Sequence, residues 1–147
     1  TLLLGCHLAF TELVAAGLAD RTPALIAVQA AGCAPLAAGW DGRVAALGST
    51  VAEGIAITAP PRAEQILAAV RDSGGTIVSV ADDTIVAGRK ALAREGLFVE
   101  PTAAVCYAAA AGAAARSGPD WQRITDFLAN GDVVIPLCGA GLKHPGD

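Results

Sequence analysis

The stretch PPRAEQILAAVRDSGGTIVSVADDTIVAGRKALAREG, residues 60–96, contains the alternation that decides the fold. Proline begins it, and Ile66, Leu67 and Val70 then share one face of a helix that ends at two glycines. The apolar run at 76–80 has the length of a buried strand, and a second helical pattern follows it up to the last glycine. These residues therefore predict a helix, a strand and a helix in succession.

The same alternation continues on both sides of this stretch. The other strand candidates are ALIAVQA (24–30), GIAIT (54–58), LFV (97–99) and DVVIPLC (132–138). Strands that are apolar on both faces are typical of a parallel sheet covered by helices on both faces. The sequence therefore predicts one α/β domain with a three-layer parallel sheet, whose ligand crevice lies at the carboxyl ends of the strands.

The composition limits the functions that the chain can have. It has 147 residues, of which 54% are apolar, and a mean hydropathy of +0.53, which suits one globular domain. Ten Lys and Arg against fourteen Asp and Glu give a net charge of −4 without a basic cluster, so nucleic acid is not an expected partner. The longest uncharged stretch, residues 22–40, is interrupted by prolines, and we expect no membrane segment.

The cysteines indicate the compartment. Four of them are scattered along the chain without a CxxC pair: Cys6, Cys33, Cys106 and Cys138. Without a signal peptide, this pattern predicts reduced thiols and a cytoplasmic location. His7 and His144 have no companions at ligand spacing, so we expect no metal site.

Three places carry residues that are typical of binding sites. Gly5 lies in a predicted loop before a helix, where free N–H groups can bind an anion. Glu100 follows a short apolar run in EGLFVEPTAAV, and Cys138 follows another in LCGAGLKHP. Simpler explanations exist: a helix start that binds nothing, a carboxylate that favours the next helix dipole, and a small buried side chain before a glycine turn. The residues alone leave these alternatives open.

Five motifs together resemble a known family. VQAAGCAPL, STVAEGIAI, PPRAEQILAAVRDSGG, EGLFVEPTAAV and VVIPLCGAGLKHP occur here in order. Their order and spacing are similar to the C-terminal half of the threonine synthases, pyridoxal-phosphate enzymes of the tryptophan synthase β superfamily. The resemblance covers nearly the whole chain and implies fold type II. It also implies a small amino-acid substrate, O-phosphohomoserine, and a possible homodimer.

The resemblance assigns cofactor contacts residue by residue. Thr1 would be the tail of the glycine-rich loop that binds the cofactor phosphate, and Glu53 and Gly54 would lie along the cofactor ring. Glu100 would lie near the base of the ring. Cys138, beside Gly139, falls where the family usually has Thr or Ser facing the pyridine nitrogen. Relatives among the serine and threonine dehydratases can carry Cys there, so a dehydratase is the alternative of the same fold.

The resemblance also implies that catalysis needs residues outside this chain. Residues 1–147 would be the C-terminal part of the cofactor-binding catalytic domain, and the Schiff-base lysine would lie in an N-terminal half that is not in this chain. Lys90 and Lys143 do not fit the motif of that lysine. The chain begins at Thr1 and contains no Met, which favours part of a longer protein over a trimmed initiator Met. A truncated, non-catalytic homologue is a further alternative.

The cofactor hypothesis makes a geometric prediction. Residues 1–5, Gly54, Glu100 and Cys138 should converge at one rim, at the carboxyl ends of the strands. Because the cofactor is only ~8 Å long, its contacts must lie within roughly 15 Å of one another. We expect no such clustering if these residues are only structural.

Overall fold

The computed structural model describes residues 1–45 and 47–143. Its six α-helices in that part of the chain are α1 (Leu2–Ala15), α2 (Pro35–Trp40), α3 (Ala63–Asp72), α4 (Asp82–Arg94), α5 (Pro101–Gly112) and α6 (Pro119–Asn130). Its two strands are β1 (Ile26–Ala30) and β2 (Thr76–Val80). Short 3-10 helices occur at Glu53–Ile55, Ala113–Ala115 and Gly141–Lys143.

The two strands form a parallel pair at the centre of the chain. Ile26 is opposite Thr76, and Ala30 is opposite Val80. Parallel strands need a long connection, and here α2 and α3 lie between them. The chain enters β2 in close contact with the residue before β1, because a Cβ added at Gly75 would overlap the backbone of Leu25. Only glycine fits at that point of entry.

Successive residues of β2 pack into different clusters. Ile77 packs with residues of α2 and α3, whereas Val78 and Val80 pack with residues of α4, α5 and α6. Side chains of a strand alternate between the two faces of the sheet, so the two clusters lie on opposite faces. Leu67 and Val70, two of the apolar residues expected on one face of α3, are buried. The helix, strand and helix predicted within residues 60–96 are confirmed.

Helices α4 and α5 pack closely on one face of the sheet. A Cβ added at Gly88 of α4 would lie only 3.0 Å from the Cβ of Ala108 of α5. Arg89, the next residue, is buried, and its Nε donates to the carbonyl of Val99 at 2.9 Å. Its guanidinium also lies 5.2 Å from the ring centroid of Phe98. These contacts fix the chain just before α5 to α4.

The sheet of the described residues is smaller than the three-layer parallel sheet that we predicted. Residues 54–58 contribute to a 3-10 helix, and 97–99 contribute only an isolated antiparallel bridge between Val99 and Ala140. Residues 132–138 form no strand, and Val134 is 88% exposed. An apolar run becomes a strand only where it finds a partner edge, and these runs find none in the described chain.

The predicted loop at the start of the chain is a helix. Helix α1 begins at Leu2, with Thr1 as its N-cap and Gly5 inside its second turn, so the expected loop start was wrong. The helix is mostly apolar, with His7, Thr11 and Glu12 as its polar residues; it contains no buried residue, and Leu8 is 59% exposed. It packs on α3, and Leu3 joins the α2 and α3 cluster. Apolar residues without a polar face do not predict where such a helix begins.

The four cysteines are unpaired in the structure. Across the described residues, no helix combines the length and the apolar character that crossing a membrane requires. His144 lies outside the described residues.

A buried glutamine provides a test of this core. Gln29 of β1 accepts the N–H groups of Leu36 at 2.9 Å and Ala37 at 3.0 Å through its Oε1 atom, and so caps α2. We expect Gln29→Leu to lower the free energy of unfolding by about 2–4 kcal/mol, because it leaves two buried donors without a partner. Urea denaturation measures this loss. The exposed Gln65→Leu should change the same quantity by less than about 0.5 kcal/mol, and equal losses would contradict the capping role.

Candidate functional site

The segment before the Glu53–Ile55 helix crosses the carboxyl ends of both strands. A Cβ added at Gly32, just after β1, would overlap the backbone of Ser49. Just after β2, the Asp82 carboxylate accepts the hydroxyl of Thr50 at 2.5 Å and the N–H of Val51 at 3.0 Å. Asp82 is the first residue of α4, where a negative charge also favours the helix dipole. The segment is therefore attached at the rim where α/β folds bind ligands.

Gly54 contacts the first turn of α5. A Cβ added at Gly54 would lie 2.9 Å from the Oγ1 atom of Thr102. Gly54 and Glu53 are exposed, and Thr102 is half-buried. The glycine therefore leaves the Thr102 hydroxyl free of a side chain at this point. Thr102 was not among the site residues predicted from the sequence, although it follows Glu100 and Pro101 in the motif EGLFVEPTAAV.

Glu100 is the N-cap residue of α5. Its carbonyl accepts the N–H groups of Ala103 at 3.1 Å and Ala104 at 3.2 Å. Its own N–H donates to the carbonyl of Gly139 at 3.0 Å. The side chain makes no capping hydrogen bond, so its carboxylate is not used to hold the helix start.

Gly139 lies directly against the Glu100 side chain. A Cβ added there would overlap the carboxyl group and the Cγ atom of Glu100. Two further backbone contacts hold the same segment, since Val99 bridges to Ala140 and the Gly141 N–H donates to Phe98 at 3.0 Å. The glycine therefore allows the C-terminal segment to lie alongside the residues that lead into α5.

Two thiols lie near this junction. Cys138 is exposed, and Cys106 of α5 is half-buried. Burial, and to a smaller extent the charge of Cys138, raises the pKa of the Cys106 thiol. Cys106 was not among the site residues predicted from the sequence, although it follows Thr102 by four residues and therefore shares its helix face.

The structure brings four of the six predicted cofactor contacts to one place. Gly54, Glu100, Cys138 and Gly139 lie around the first turns of α5, and Glu53 lies in the same 3-10 helix as Gly54. Thr1 is the N-cap of α1, whose Leu3 packs in the cluster on the other face of the sheet from Leu137. The convergence of residues 1–5 with Gly54, Glu100 and Cys138 therefore stays a prediction.

Lys90 lies outside this group of contacts. Lys90 of α4 is exposed and lines a shallow depression with Val86, Ala93 and Phe98. For Lys143 the structure describes only the backbone of the last 3-10 helix. Within the described residues, no group of three or more His, Cys, Asp or Glu side chains has the geometry of a metal site.

The residues that form this site lie in a part of the chain that matches a known protein family. Residues 1–139 match the model of the family described as pyridoxal-phosphate dependent enzyme. The chain belongs to this family. The resemblance identified from the sequence motifs is therefore confirmed, and so is pyridoxal phosphate as the family's cofactor.

Several curated relatives in this family carry the name threonine synthase. The chain is 38% identical over 105 residues to that of Methanosarcina acetivorans, covering 67% of this chain and 26% of the relative. It is 35% identical over 138 residues to that of Mycobacterium leprae, covering 92% of this chain and 35% of the relative. The threonine synthase of Mycobacterium tuberculosis is 33% identical over 138 residues, with 92% and 35% coverage. The chain thus spans about a quarter to a third of the length of these relatives.

The contact between Gly139 and Glu100 can be tested by a double-mutant cycle. Gly139→Ala should lower the free energy of unfolding by about 1–2 kcal/mol, because its Cβ displaces the Glu100 side chain. In a Glu100→Ala background the same substitution should cost less than about 0.5 kcal/mol. Gly131→Ala is the matched control, since its Cβ would come no closer than 3.7 Å to Phe127. Equal losses in both backgrounds would contradict the contact.

Proposed function

We propose that this chain is the C-terminal part of a pyridoxal-phosphate-dependent threonine synthase, a lyase that converts O-phosphohomoserine and water to threonine and phosphate. One observation carries the proposal. Gly54, Glu100 and Cys138, which the family resemblance assigns to the cofactor, meet at the start of α5 in a chain whose curated relatives are named threonine synthase. The reaction and the substrate of the complete protein are part of this proposal.

The residues at the start of α5 fit the ring end of pyridoxal phosphate. Gly54 presents backbone without a side chain, as a surface beside a flat ring requires. Cys138 offers an exposed thiol, which can face the pyridine nitrogen as a neutral group. When bound, the cofactor supplies an electron sink for chemistry at the substrate. A neutral partner does not hold the ring nitrogen protonated, so the electron sink is weaker than with an Asp at that place.

Glu100 and Thr102 have roles beside the ring in this proposal. The Glu100 carboxylate is held against Gly139 without a capping bond, and therefore stays available to a ligand group that donates a hydrogen bond. The Thr102 hydroxyl faces Gly54 and is available as donor or acceptor. Thr102 contacts Gly54, which follows the segment held across the carboxyl ends of the strands, and Glu100 lies at the same helix start.

The complete enzyme would include an N-terminal half that carries the Schiff-base lysine and the glycines of the phosphate loop before Thr1. Two observations support this. The chain covers only 35% of the Mycobacterium leprae relative, and α1 has exposed leucines and no buried residue. Several exposed leucines on one helix are typical of a surface that packs against another part of a protein. In the complete enzyme β1 and β2 would belong to a three-layer parallel sheet of fold type II, in a cytoplasmic protein that forms a homodimer.

A serine or threonine dehydratase of the same fold is the second candidate. Cys138 supports it, because dehydratases can carry Cys where threonine synthases usually have Thr or Ser. The motif EGLFVEPT and the names of the relatives favour the threonine synthase. A truncated homologue without activity would agree with the exposed position of Lys90. Assays with O-phosphohomoserine, serine and threonine distinguish these three cases.

The first functional prediction concerns the chain by itself. We expect the 147-residue chain to release no phosphate from O-phosphohomoserine in the presence of pyridoxal phosphate, because neither Lys90 nor Lys143 fits the motif of the family's Schiff-base lysine. The protein extended by its upstream coding sequence should release phosphate and threonine in equal amounts. Borohydride reduction followed by peptide mass spectrometry should locate the cofactor on an upstream lysine. Reduction onto Lys90 or Lys143 together with turnover would contradict the proposal.

The second functional prediction concerns Cys138 in the extended protein. Cys138→Ser should retain kcat within about tenfold, because a hydroxyl makes the same neutral contact with the ring nitrogen. Cys138→Asp should change the absorption spectrum of the bound cofactor, because a carboxylate favours the protonated ring. The spectra and kcat of both variants are measured side by side. If Ser and Asp lowered kcat equally, Cys138 would have a structural role and not a contact with the ring nitrogen.

A further inference from the structure

Two of the four cysteines lie in segments that meet at the start of α5. Cys138 directly precedes Gly139, whose carbonyl accepts the Glu100 N–H at 3.0 Å. Cys106 lies on α5 itself, six residues after Glu100. Their separation in sequence therefore does not separate them in the fold.

The backbone register specifies how the two segments face each other. Val99 bridges to Ala140 in an antiparallel arrangement, and the Glu100 N–H donates to the carbonyl of Gly139, the residue after Cys138. Cys106 lies in the second turn of α5, which begins at Pro101. The two cysteines therefore belong to segments that are in direct backbone contact at the α5 N-cap.

The two thiols also interact electrostatically. Burial first, and then the charge of Cys138, raises the pKa of Cys106, so the field of one sulfur reaches the other. Cys138 is exposed to solvent, whereas Cys106 is half-buried. The remaining cysteines lie elsewhere, since Cys33 is 1% exposed and Cys6 belongs to α1.

We propose that Cys106 and Cys138 form a reversible disulfide that removes Cys138 from the place where it would meet the cofactor ring. The thiol pair itself follows from the position of the two segments. Its effect on the cofactor rests on the proposed function. Oxidation of the pair and occupation of the ring site then exclude each other.

The chemistry requires a low-molecular-weight disulfide as the oxidant. The Cys138 thiolate attacks one sulfur of that disulfide, the S–S bond of the oxidant breaks, and one small thiolate leaves and takes up a proton. Cys106 then loses its proton and attacks the Cys138 sulfur of the mixed disulfide, which releases the second small thiol. Two protein thiols are oxidised by two electrons, and one small disulfide is reduced to two thiols.

The different environments of the two thiols assign the order of these steps. The exposed Cys138 is accessible to the oxidant, and Cys106, with its raised pKa, is the poorer first nucleophile. A disulfide also needs Cα atoms within about 7 Å. Residues 132–138 form no helix or strand, so they are free of ladder hydrogen bonds that would resist an approach to α5.

The experiment uses the 147-residue chain and oxidised glutathione. After acid quenching and alkylation, peptide mass spectrometry should find Cys106 joined to Cys138, and dithiothreitol should reverse the link. Cys106→Ser should stop the reaction at the mixed disulfide of glutathione with Cys138. In Cys138→Ser, glutathione should add to Cys106 at least about tenfold more slowly than it adds to Cys138 in Cys106→Ser, because the Cys106 thiol is half-buried. Cys6→Ser, the control, should leave the Cys106–Cys138 link unchanged.

The outcomes separate this inference from the proposed function. Links that join other cysteines, or glutathione that stays on Cys138 in the chain with all four cysteines, would overturn the inference. In the extended protein, saturation with pyridoxal phosphate should slow formation of the link by at least about tenfold. A link that forms in the chain but at the same rate with the cofactor bound would support the thiol pair and overturn only the contact of Cys138 with the ring.

Discussion

The hydrogen bond from the Glu100 N–H to the Gly139 carbonyl is the contact on which the candidate site depends. It joins the start of α5 to the C-terminal segment, which has no regular strand of its own between residues 132 and 138. Without it, Cys138 would have no defined position relative to α5. The absence of a side chain at Gly139 leaves room for the Glu100 carboxyl group, which a Cβ there would displace. One backbone contact and one missing side chain thus position two of the predicted ligand contacts.

The position of α5 depends in turn on its close packing with α4. A methyl group added at Gly88 would lie 3.0 Å from the Cβ of Ala108, so the backbones of α4 and α5 approach closely. Arg89 then holds Val99 by a hydrogen bond of 2.9 Å, just before the α5 N-cap. Small residues allow the approach and a buried cation fixes the entry of the chain. The first turn of α5 therefore has one position relative to the carboxyl end of β2, from which α4 starts.

The sequence correctly predicted those helices and strands that can be recognised from a few neighbouring residues. Leu67 and Val70 share a helix face with their buried neighbours, and 76–80 is a strand, because these features need only a few residues. The runs at 54–58 and 132–138 have strand composition but no partner edge in the described chain, and an edge is not visible in a local pattern. Thr102 and Cys106 were missed for a related reason. An alanine-rich helix is apolar on every side, so its sequence does not indicate which face meets Gly54.

Asp82 connects the fold to the site. Its carboxylate lies at the carboxyl end of β2 and accepts hydrogen bonds from Thr50 and Val51, which lie in the segment that leads to Gly54. A surface ion pair at this place would contribute little, whereas hydrogen bonds to a charged acceptor are worth about 1.5–3 kcal/mol each. Gly54 can contact Thr102 only while this segment stays across the strand ends. The rim that binds ligands in α/β folds is therefore built here by a carboxylate that itself touches none of the predicted cofactor contacts.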